Sequence, residues 1–246
     1  MILKKVSLLV CLTLVLSSCQ FTETLVLNED GSGRMNIEMN MNELMAFGGN
    51  EADSIVSKID TIISMKQFLA EKKDSISQLP KEEQASLKRM ENYNIHMIMD
   101  SETKKMLFNI YTDFTNIEEA NDLMMGLDKT SSLMPGVNNA SSVEGEESTD
   151  NVMGVAYSYK KGKFSRDAFI KDKVRHQQQV DSMKNTESFM SSMVYKLKYT
   201  FPRKIVKSSI EDATFSLDGK TIEVERSFVD YFKNPDILDL ELEFEK

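Results

Sequence analysis

Three segments of the sequence alternate apolar and polar residues with a period of two. They cover residues 35–41, 195–201 and 238–244, where Met, Ile, Tyr, Leu and Phe alternate mostly with Asn, Lys, Glu and Asp. Successive side chains of a β-strand point to opposite faces, so this period predicts strands with one buried and one solvated face. Sheets that are solvated on one side are typically antiparallel, and this constrains the fold more than any other feature of the chain.

Turn signals separate the predicted strands. Residues 28–33 (NEDGSG) and 218–219 (DG) place Asp-Gly between β-forming segments, and residues 160–163 (KKGK) place a glycine between two more. Residues 101–103 form a short polar connection in the same way. Short connections of this kind are typical of β-hairpins. The sequence therefore predicts a series of hairpins.

Four segments between the hairpins indicate helices. An apolar stripe at positions 55, 59, 62 and 69 predicts a helix over residues 53–75. Pro80 predicts the start of a second helix, to about residue 92, because proline fits a first helical turn. Asn116 and Glu119 match a capping box for a helix to about residue 127, and a fourth helix is predicted over residues 167–191.

These elements predict an α+β fold, in which an antiparallel sheet built from successive hairpins carries about four helices packed on it. Residues 128–151 are rich in Ser, Asn, Gly and acidic side chains, so we predict a flexible acidic insertion there. Each half of the chain would bury little core alone. Residues 19–246 are therefore predicted to form one domain.

The first twenty residues have the order of a bacterial export signal. A pair of lysines precedes an uncharged run at residues 6–16, which is too short to span a bilayer core of about 30 Å. Residues 16–19 (LSSC) resemble the bacterial lipobox, in which small residues precede a lipid-modified cysteine. The resemblance implies a signal peptide over residues 1–18 and lipidation at Cys19. An ordinary secretion signal and a buried helix are the alternatives, and both fit the run less well.

The same resemblance implies a location in the bacterial cell envelope. Several acyl chains anchor a protein stably, whereas one chain holds it only reversibly. Gln20 follows the cysteine. An aspartate at that position favours retention at the inner membrane in the best-known sorting rule, so Gln20 indicates the outer membrane rather than the inner one.

Charge and cysteine content exclude several classes of function. The chain has 39 Asp and Glu against 30 Lys and Arg, and its net charge of −9 argues against nucleic acid as a partner. Its two cysteines are Cys11, inside the predicted signal, and Cys19. The mature chain would therefore have no thiol for a disulfide, a nucleophile or a thiolate metal site.

No motif of a catalytic, cofactor or metal site is present in the sequence. Its two histidines, His96 and His176, have no second ligand at metal-binding spacing, and we expect both on the solvated surface. The acidic runs at residues 28–30 and 144–150 do not match a calcium-binding loop. We therefore predict a protein with no catalytic residue, no cofactor and no metal.

Two charged patterns mark predicted strands. Lys196 and Lys198 alternate on one solvated face, and three acids alternate on another: Asp239, Glu241 and Glu243. If the two strands are neighbours, these side chains form cross-strand ion pairs. Arg203 and Lys204 form a small basic patch beyond a strand end, which is solvated or contacts headgroups or a partner.

Methionines occupy several inward-facing strand positions: Met35, Met39, Met97, Met99 and Met106. Methionine usually fills gaps in a core, and it also lines adaptable apolar binding surfaces. The strand at residues 22–27, the turn at 30–33, the segment 199–202 and the hairpin at 218–219 together resemble LppM-type lipoproteins. That resemblance implies an α+β domain linked to envelope lipid binding, and it carries over no individual binding residue.

Three hypotheses for the function follow from different classes of protein. The first is a lipid-anchored, non-catalytic envelope binding module that holds an apolar or lipid ligand. The second is a structural or assembly subunit of an envelope complex, with the acidic insertion and the Arg203–Lys204 patch as contacts. The third is a carboxylate-based hydrolase, for which no spacing selects a pair of acids. The expected partners are the membrane, through lipidated Cys19, and a lipid or an envelope protein, with no nucleic acid.

Overall fold

The computed structural model describes residues 20–47, 58–122, 152–184 and 187–246. In chain order its strands are β1 (Gln20–Leu27), β2 (Gly33–Asn40), β3 (Ile59–Ser64), β4 (Tyr93–Asp100), β5 (Lys105–Phe114), β6 (Met153–Lys160), β7 (Lys163–Ile170), β8 (Val194–Thr200), β9 (Ile205–Ser208), β10 (Thr214–Phe215), β11 (Thr221–Ser227) and β12 (Leu240–Phe244). The helices are α1 (Asn42–Phe47), α2 (Met65–Glu71), α3 (Lys73–Ser77), α4 (Lys81–Arg89), α5 (Lys173–Met183), α6 (Glu187–Met190) and α7 (Phe228–Lys233), with 3₁₀ turns η1 (Ile117–Asp122) and η2 (Pro235–Leu238).

The strands form two sheets. Within the described residues, the large sheet has eight strands in the order β10-β11-β8-β1-β2-β5-β4-β3, and the small sheet has four in the order β6-β7-β12-β9. In the described ranges β1 and β8 pair in parallel, and the other strand pairs are antiparallel. The α+β class predicted from the sequence is confirmed, with sheets that are rich in antiparallel pairs.

Four antiparallel pairs are joined by the predicted turns: β1 with β2, β4 with β5, β6 with β7, and β10 with β11. The β6–β7 turn shows the local reason. Lys161 and Gly162 have φ of 55° and 72°, and two central residues with positive φ match the right-handed twist of a hairpin.

The arrangement differs from the predicted single sheet of successive hairpins. The parallel contact of β1 with β8 joins segments about 170 residues apart in sequence, with Gln20 opposite Val194. In addition, β12 pairs with β7 and β9, so a second sheet forms. Alternation predicts that a strand has an inner face but does not choose its neighbour, and tertiary packing makes that choice.

Two predicted helices are wrong over part of their length. Residues 59–64 form strand β3 on the edge of the large sheet, where Ile59 and Ile63 pack on the core and Ile62 is 59% exposed. This segment is rich in β-branched residues, which fit a pleated strand better than a helix. Residues 163–170 form β7, and the predicted helix over 167–191 begins only at α5, where the Asp172 carboxylate accepts hydrogen bonds from the backbone of Val174 and Arg175.

The other two predicted helices begin near the expected positions. Helix α4 follows Pro80. The Glu119 carboxylate accepts a hydrogen bond from the Asn116 backbone N–H at 3.1 Å, so the capping box is present, but the described residues after it form the 3₁₀ turn η1.

One continuous hydrophobic core includes side chains of both sheets and of the helical segment between β3 and β4. Leu25 and Ile37 contribute from the large sheet, Phe164 and Leu242 from the small sheet, and Met65 from α2. The predicted lipidation site Cys19 and the predicted insertion at 128–151 lie outside the described residues.

Candidate functional site

The inner face of β1 carries a carboxylate among apolar side chains. Phe21, Glu23 and Leu25 share this face, and Glu23 is completely buried. On β7, Arg166 lies between the buried residues Phe164 and Ala168 on the inner face and is 1% exposed. The period of two therefore places both charges in the space between the two sheets.

Glu23 and Arg166 form a two-point ion pair. Arg166 Nη2 donates to Glu23 Oε2 at 3.0 Å, and Arg166 Nε donates to Oε1 at 3.2 Å. The remaining nitrogen, Nη1, donates to the carbonyl of Leu238 at 3.1 Å. The planar guanidinium matches the carboxylate in this geometry, so the pair sets the distance and the orientation of β7 relative to β1.

Tyrosine hydroxyls complete the surroundings of the pair. Tyr157 donates to carboxylate atom Oε1 at 2.5 Å, Tyr195 donates to Oε2 at 2.7 Å, and Tyr199 also donates to Oε1. The Tyr231 hydroxyl accepts a hydrogen bond from the guanidinium Nη2 at 3.0 Å. We call Glu23, Arg166 and these four tyrosines the buried ion-pair cluster.

Strand pairing explains how the cluster assembles. Tyr157 on β6 lies directly opposite Arg166 on β7. Leu197 on β8 lies opposite Glu23 on β1, so the residues two positions before and after it, Tyr195 and Tyr199, flank the carboxylate. Since α7 supplies Tyr231, the cluster joins the large sheet, the small sheet and a helix.

Electrostatics keep the pair charged despite burial. Burial alone would raise the pKa of the Glu23 carboxyl, but the charge of Arg166 and hydrogen bonds from Arg166, Tyr157 and Tyr199 outweigh it, so the net pKa is lowered. Burial alone would lower the pKa of Arg166, but the charge of Glu23 together with the tyrosines Tyr231, Tyr199 and Tyr157 outweighs it, so the net pKa is raised well above its ordinary value. Burial and the Glu23 charge together raise the pKa of Tyr199 well above 10.

The buried ion-pair cluster is closed to solvent, and this limits the roles that its residues can have. The side chains of Glu23 and Arg166 are both 0% exposed, so a substrate does not reach them in this conformation. Removing one partner of a buried pair is strongly destabilising, because it leaves the other charge buried without compensation. The arrangement therefore serves as a clamp between the sheets.

Sequence reasoning missed this cluster, although a signal for it exists. Glu23 and Arg166 occur in phase with the apolar residues of their strands. A charged residue at an inward position is informative because it is almost never fully buried without a partner. The partner itself could not be identified, because Glu23 and Arg166 are 143 residues apart.

A second region is open to solvent. Helices α2, α3 and α4 border a cleft of about 630 Å³, with an apolar lining that includes Leu69, Ala70, Ile76, Ala85 and Leu87. The Gln84 side chain holds the border together, because its Nε2 donates to the carbonyls of Leu79 at 2.7 Å and Ser77 at 3.2 Å. We call this region the helical cleft.

Lysines surround the apolar lining of the helical cleft. Lys66, Lys73 and Lys88 line it together with one acid, Glu91. Lys88 Nζ lies 2.5 Å from Glu91 Oε2, and hydrogen bonding from Lys88 lowers the pKa of that carboxyl. In the described part of the chain Lys66 and Lys73 form no ion pair, so the rim has an excess of positive charge on an acidic protein.

A smaller cleft of about 310 Å³ lies on the small sheet and has a more polar lining, with Ser165, Lys163 and Lys207 among its residues. It contains Glu241 and Glu243, two of the three acids that the sequence suggested as partners of Lys196 and Lys198. Glu243 instead lies 3.0 Å from Lys163 Nζ and 3.8 Å from Lys207 Nζ.

The suggested pairing of Lys196 and Lys198 with the acids of residues 239–243 is therefore wrong. Lys196 Nζ lies 2.7 Å from Glu223 and 3.1 Å from Glu225, and Lys198 Nζ lies 3.0 Å from Glu223. The neighbour of β8 is β11, whereas β12 belongs to the other sheet.

The two histidines differ in their burial. His96 is partly exposed on β4 and its Nε2 lies 2.8 Å from Asp60 Oδ1 on β3. The prediction of a surface position is wrong for His176, which is 5% exposed and whose Nε2 lies 2.7 Å from the carbonyl oxygen of Phe232. Packing of α7 against α5 covers this histidine, which the polar sequence around it did not indicate.

The inward methionines belong to the core. Met35 and Met97 are fully buried within it, and the other three, Met39, Met99 and Met106, are partly buried and pack against it. Met35 and Met97 fill space between strands, and the three partly buried methionines keep some exposed surface.

Within the described ranges, no group of three or more His, Cys, Asp or Glu side chains is placed to bind a metal ion. None of the helices in the same ranges has the length and apolar character needed to cross a bilayer. The exposed basic pair Arg203 and Lys204 follows β8, as predicted.

Comparisons with known proteins do not assign this chain to a family. No protein-family model matches the sequence, and no curated protein matches it significantly. Among solved structures, the chain is similar to the folded domain of the Mycobacterium tuberculosis protein LppM, determined by NMR, with 5% sequence identity and a TM-score of 0.37 over 95% of each chain. A score at this level does not establish a shared fold.

Proposed function

We propose that this protein is a lipid-anchored, non-catalytic binding module of the bacterial cell envelope, and that the helical cleft takes an amphiphile with an apolar chain and an anionic group. The observation that carries the proposal is the combination of an apolar lining with a lysine rim in one cleft. The anchor is supported by the lipobox-like residues before Cys19.

The dimensions of the helical cleft suit a small amphiphile. Its volume of about 630 Å³ lies within the range of roughly 300–1,000 Å³ that is usual for small-molecule sites. Each methylene removed from water contributes about 0.8 kcal/mol, so six buried methylenes would contribute roughly 5 kcal/mol before ordering costs. Leu69, Ile76 and Leu87 offer the apolar contacts for such a chain.

The charged rim favours one orientation of the ligand. With the chain against the apolar lining, the anionic group would lie beside Lys66 and Lys73, which keep contact with water. Attraction between exposed charges is modest and is screened by salt, so the lysines supply selectivity more than affinity. A neutral amphiphile is expected to bind more weakly than a carboxylate of the same length.

A fluorescence titration tests this function. The unlipidated chain starting at Gln20 is mixed with a palmitate that carries an anthroyloxy fluorophore, and emission is followed at low and high salt. The double variant Lys66→Glu and Lys73→Glu should lose about tenfold in affinity, equivalent to about 1.4 kcal/mol. The matched control, Lys161→Glu and Lys173→Glu, changes the net charge equally at two exposed positions that do not line the cleft and should bind as the parent does.

A second variant separates the apolar lining from the rim. Ala85→Trp places a large side chain in the helical cleft and leaves the three lysines in place. We expect it to displace the probe. If the parent chain does not bind the probe, or if both charge variants lose the same affinity, the helical cleft is not the binding site.

A further inference from the structure

We propose that the end of the molecule at which β1 begins rests on the bilayer that holds the Cys19 lipid, with a rim of apolar side chains inserted in the interface. This rests on the lipid anchor of the proposed function and adds the orientation of the domain. We call the surface at this end the anchor rim and define it as Phe21, Met41, Met106, Val194 and Phe228.

The tether to the membrane is very short. Cys19 is joined to Gln20 by one peptide bond, and consecutive Cα atoms are about 3.8 Å apart. Gln20 is already part of the large sheet, opposite Asn40 on one side and Val194 on the other. Since the acyl chains lie in the bilayer, the start of β1 must lie at its surface.

The strand that receives the tether is held firmly. β1 is paired with β2 from Gln20 to Leu27 and with β8 from Gln20 to Val26. Four residues after the predicted lipidation site, Glu23 forms the buried ion pair with the small sheet. A strand bonded on both edges and clamped from its inner face does not act as a hinge, so the start of β1 keeps a fixed position relative to the rest of the domain.

Apolar side chains surround the start of β1. Phe21 and Phe228 are stacked with ring centroids 4.6 Å apart, and both are partly exposed. Val194 is partly exposed on the neighbouring strand β8. Further along the same end, the Met41 backbone N–H donates to the Met106 carbonyl at 2.9 Å, and both side chains are partly exposed.

The composition of the anchor rim matches an interfacial region. Aromatic side chains are favoured at the level of the headgroups, and apolar side chains gain free energy by entering the acyl boundary. The five residues of the rim are apolar, and the charged side chains beside them include both signs, Lys105 next to Met106 and Glu43 on α1. Contact with the bilayer should therefore persist at high salt and on a zwitterionic membrane, unlike contact through a basic patch.

The chain contains no tryptophan, so one introduced tryptophan reports its own position. Phe228→Trp is expressed as the full-length lipidated protein and reconstituted in phosphatidylcholine vesicles with brominated acyl chains, which quench nearby indoles. The control is Leu217→Trp, a fully exposed position in the β10–β11 turn. That turn lies near Thr200 and Val26, about 20 Å along the sheet from Gln20.

We expect about a twofold loss of emission for Phe228→Trp, because a side chain in the interface lies within about 10 Å of the acyl region. The Leu217→Trp control should show no loss. Met41→Trp tests the rim on the other side of β1 and replaces Phe228→Trp if that variant fails to fold. The loss should be the same at low and high salt.

Two results would overturn the proposal, and they differ in whether the lipid anchor of the proposed function is excluded as well. A chain that is not lipidated at Cys19, as read from its intact mass, removes both the anchor and the orientation. A lipidated, vesicle-bound chain whose rim tryptophans are unquenched, or are quenched no more than Leu217→Trp, leaves the anchor in place and excludes this orientation alone.

Discussion

The buried ion-pair cluster and the helical cleft both combine charge with apolar surroundings, but they have opposite relations to water. Glu23 and Arg166 have no exposed surface, and their charges are satisfied within the protein. Lys66 and Lys73 are exposed beside an apolar lining, and no ion pair involves them in the described structure.

This difference separates a stabilising role from a binding role. A buried charge is tolerated only with a complete set of partners, so its residues serve the fold and lose stability when one is removed. An exposed charge beside an apolar cleft adds little to stability and remains available to a ligand. Substitutions in the two regions should therefore affect different measurements.

The largest effect is expected from Arg166→Met. Removing the guanidinium leaves the Glu23 carboxylate buried without its counter-charge, which costs about 3–5 kcal/mol. The free energy of unfolding in urea measures this loss. As a control, Lys163→Met removes the exposed pair with Glu243 and should leave the urea midpoint nearly unchanged. A similar midpoint for both variants would contradict the clamp.

Glu23→Gln should give a loss that depends on pH. The folded-state pKa of Glu23 is lowered below its unfolded value, so its ionised form adds stability above about pH 4.3, and this contribution disappears as pH falls through the folded-state pKa. The unfolding free energy of the parent should therefore exceed that of Glu23→Gln by the largest amount at pH 7. This difference should become smaller below about pH 4. A gap that is constant from pH 7 to pH 3 would exclude an ionised Glu23.

Tyr199→Phe is expected to have a smaller effect. It removes one hydrogen bond to an ionised carboxylate and leaves Tyr157 and Tyr195 in place, so about 1.5–3 kcal/mol of unfolding free energy should be lost. Tyr111→Phe is a matched control, because Tyr111 is only partly buried and lies outside the cluster. Equal midpoints for the two variants would show that the Tyr199 hydroxyl has no stabilising contact.

The smallest effect on stability is expected at the helical cleft. Lys66→Ser with Lys73→Ser removes two exposed charges and should leave the urea midpoint unchanged, while the affinity for the labelled palmitate falls about threefold, less than in the charge-reversed variant. Urea unfolding and the fluorescence titration on the same protein check both statements. A shifted urea midpoint together with an unchanged affinity for the palmitate would contradict this proposal, because the two lysines would then serve stability and not binding.

Local features of the fold were predicted well where side-chain period and turn chemistry agree. Strand β8 and the β6–β7 hairpin lie where the alternation and the Lys-Gly turn placed them. The error over residues 59–64 arose because Ile59 and Ile62 match a helical spacing, although β-branched residues on a sheet edge favour a strand. His176 shows a different limit, since a polar helix gives no sign that another element covers it.

The candidate sites were less predictable than the fold. Glu23 and Arg166 could have been noticed as charges on inner faces, but the pairing of β1 with β8 and the stacking of the two sheets decide which tyrosines reach them. The helical cleft requires the relative positions of α2, α3 and α4, which a hydrophobic pattern does not specify.

The sequence by itself determined the α+β class, the turns and the lipobox-like start before Cys19, because each depends on residues that are close together in the chain. Tertiary structure alone decided the parallel contact of β1 with β8, the separation of the strands into two sheets and the partners of Glu23. These features depend on the free energy of packing faces from distant segments. Alternation shows which side of a strand is buried, but only the packed structure shows which element covers that side.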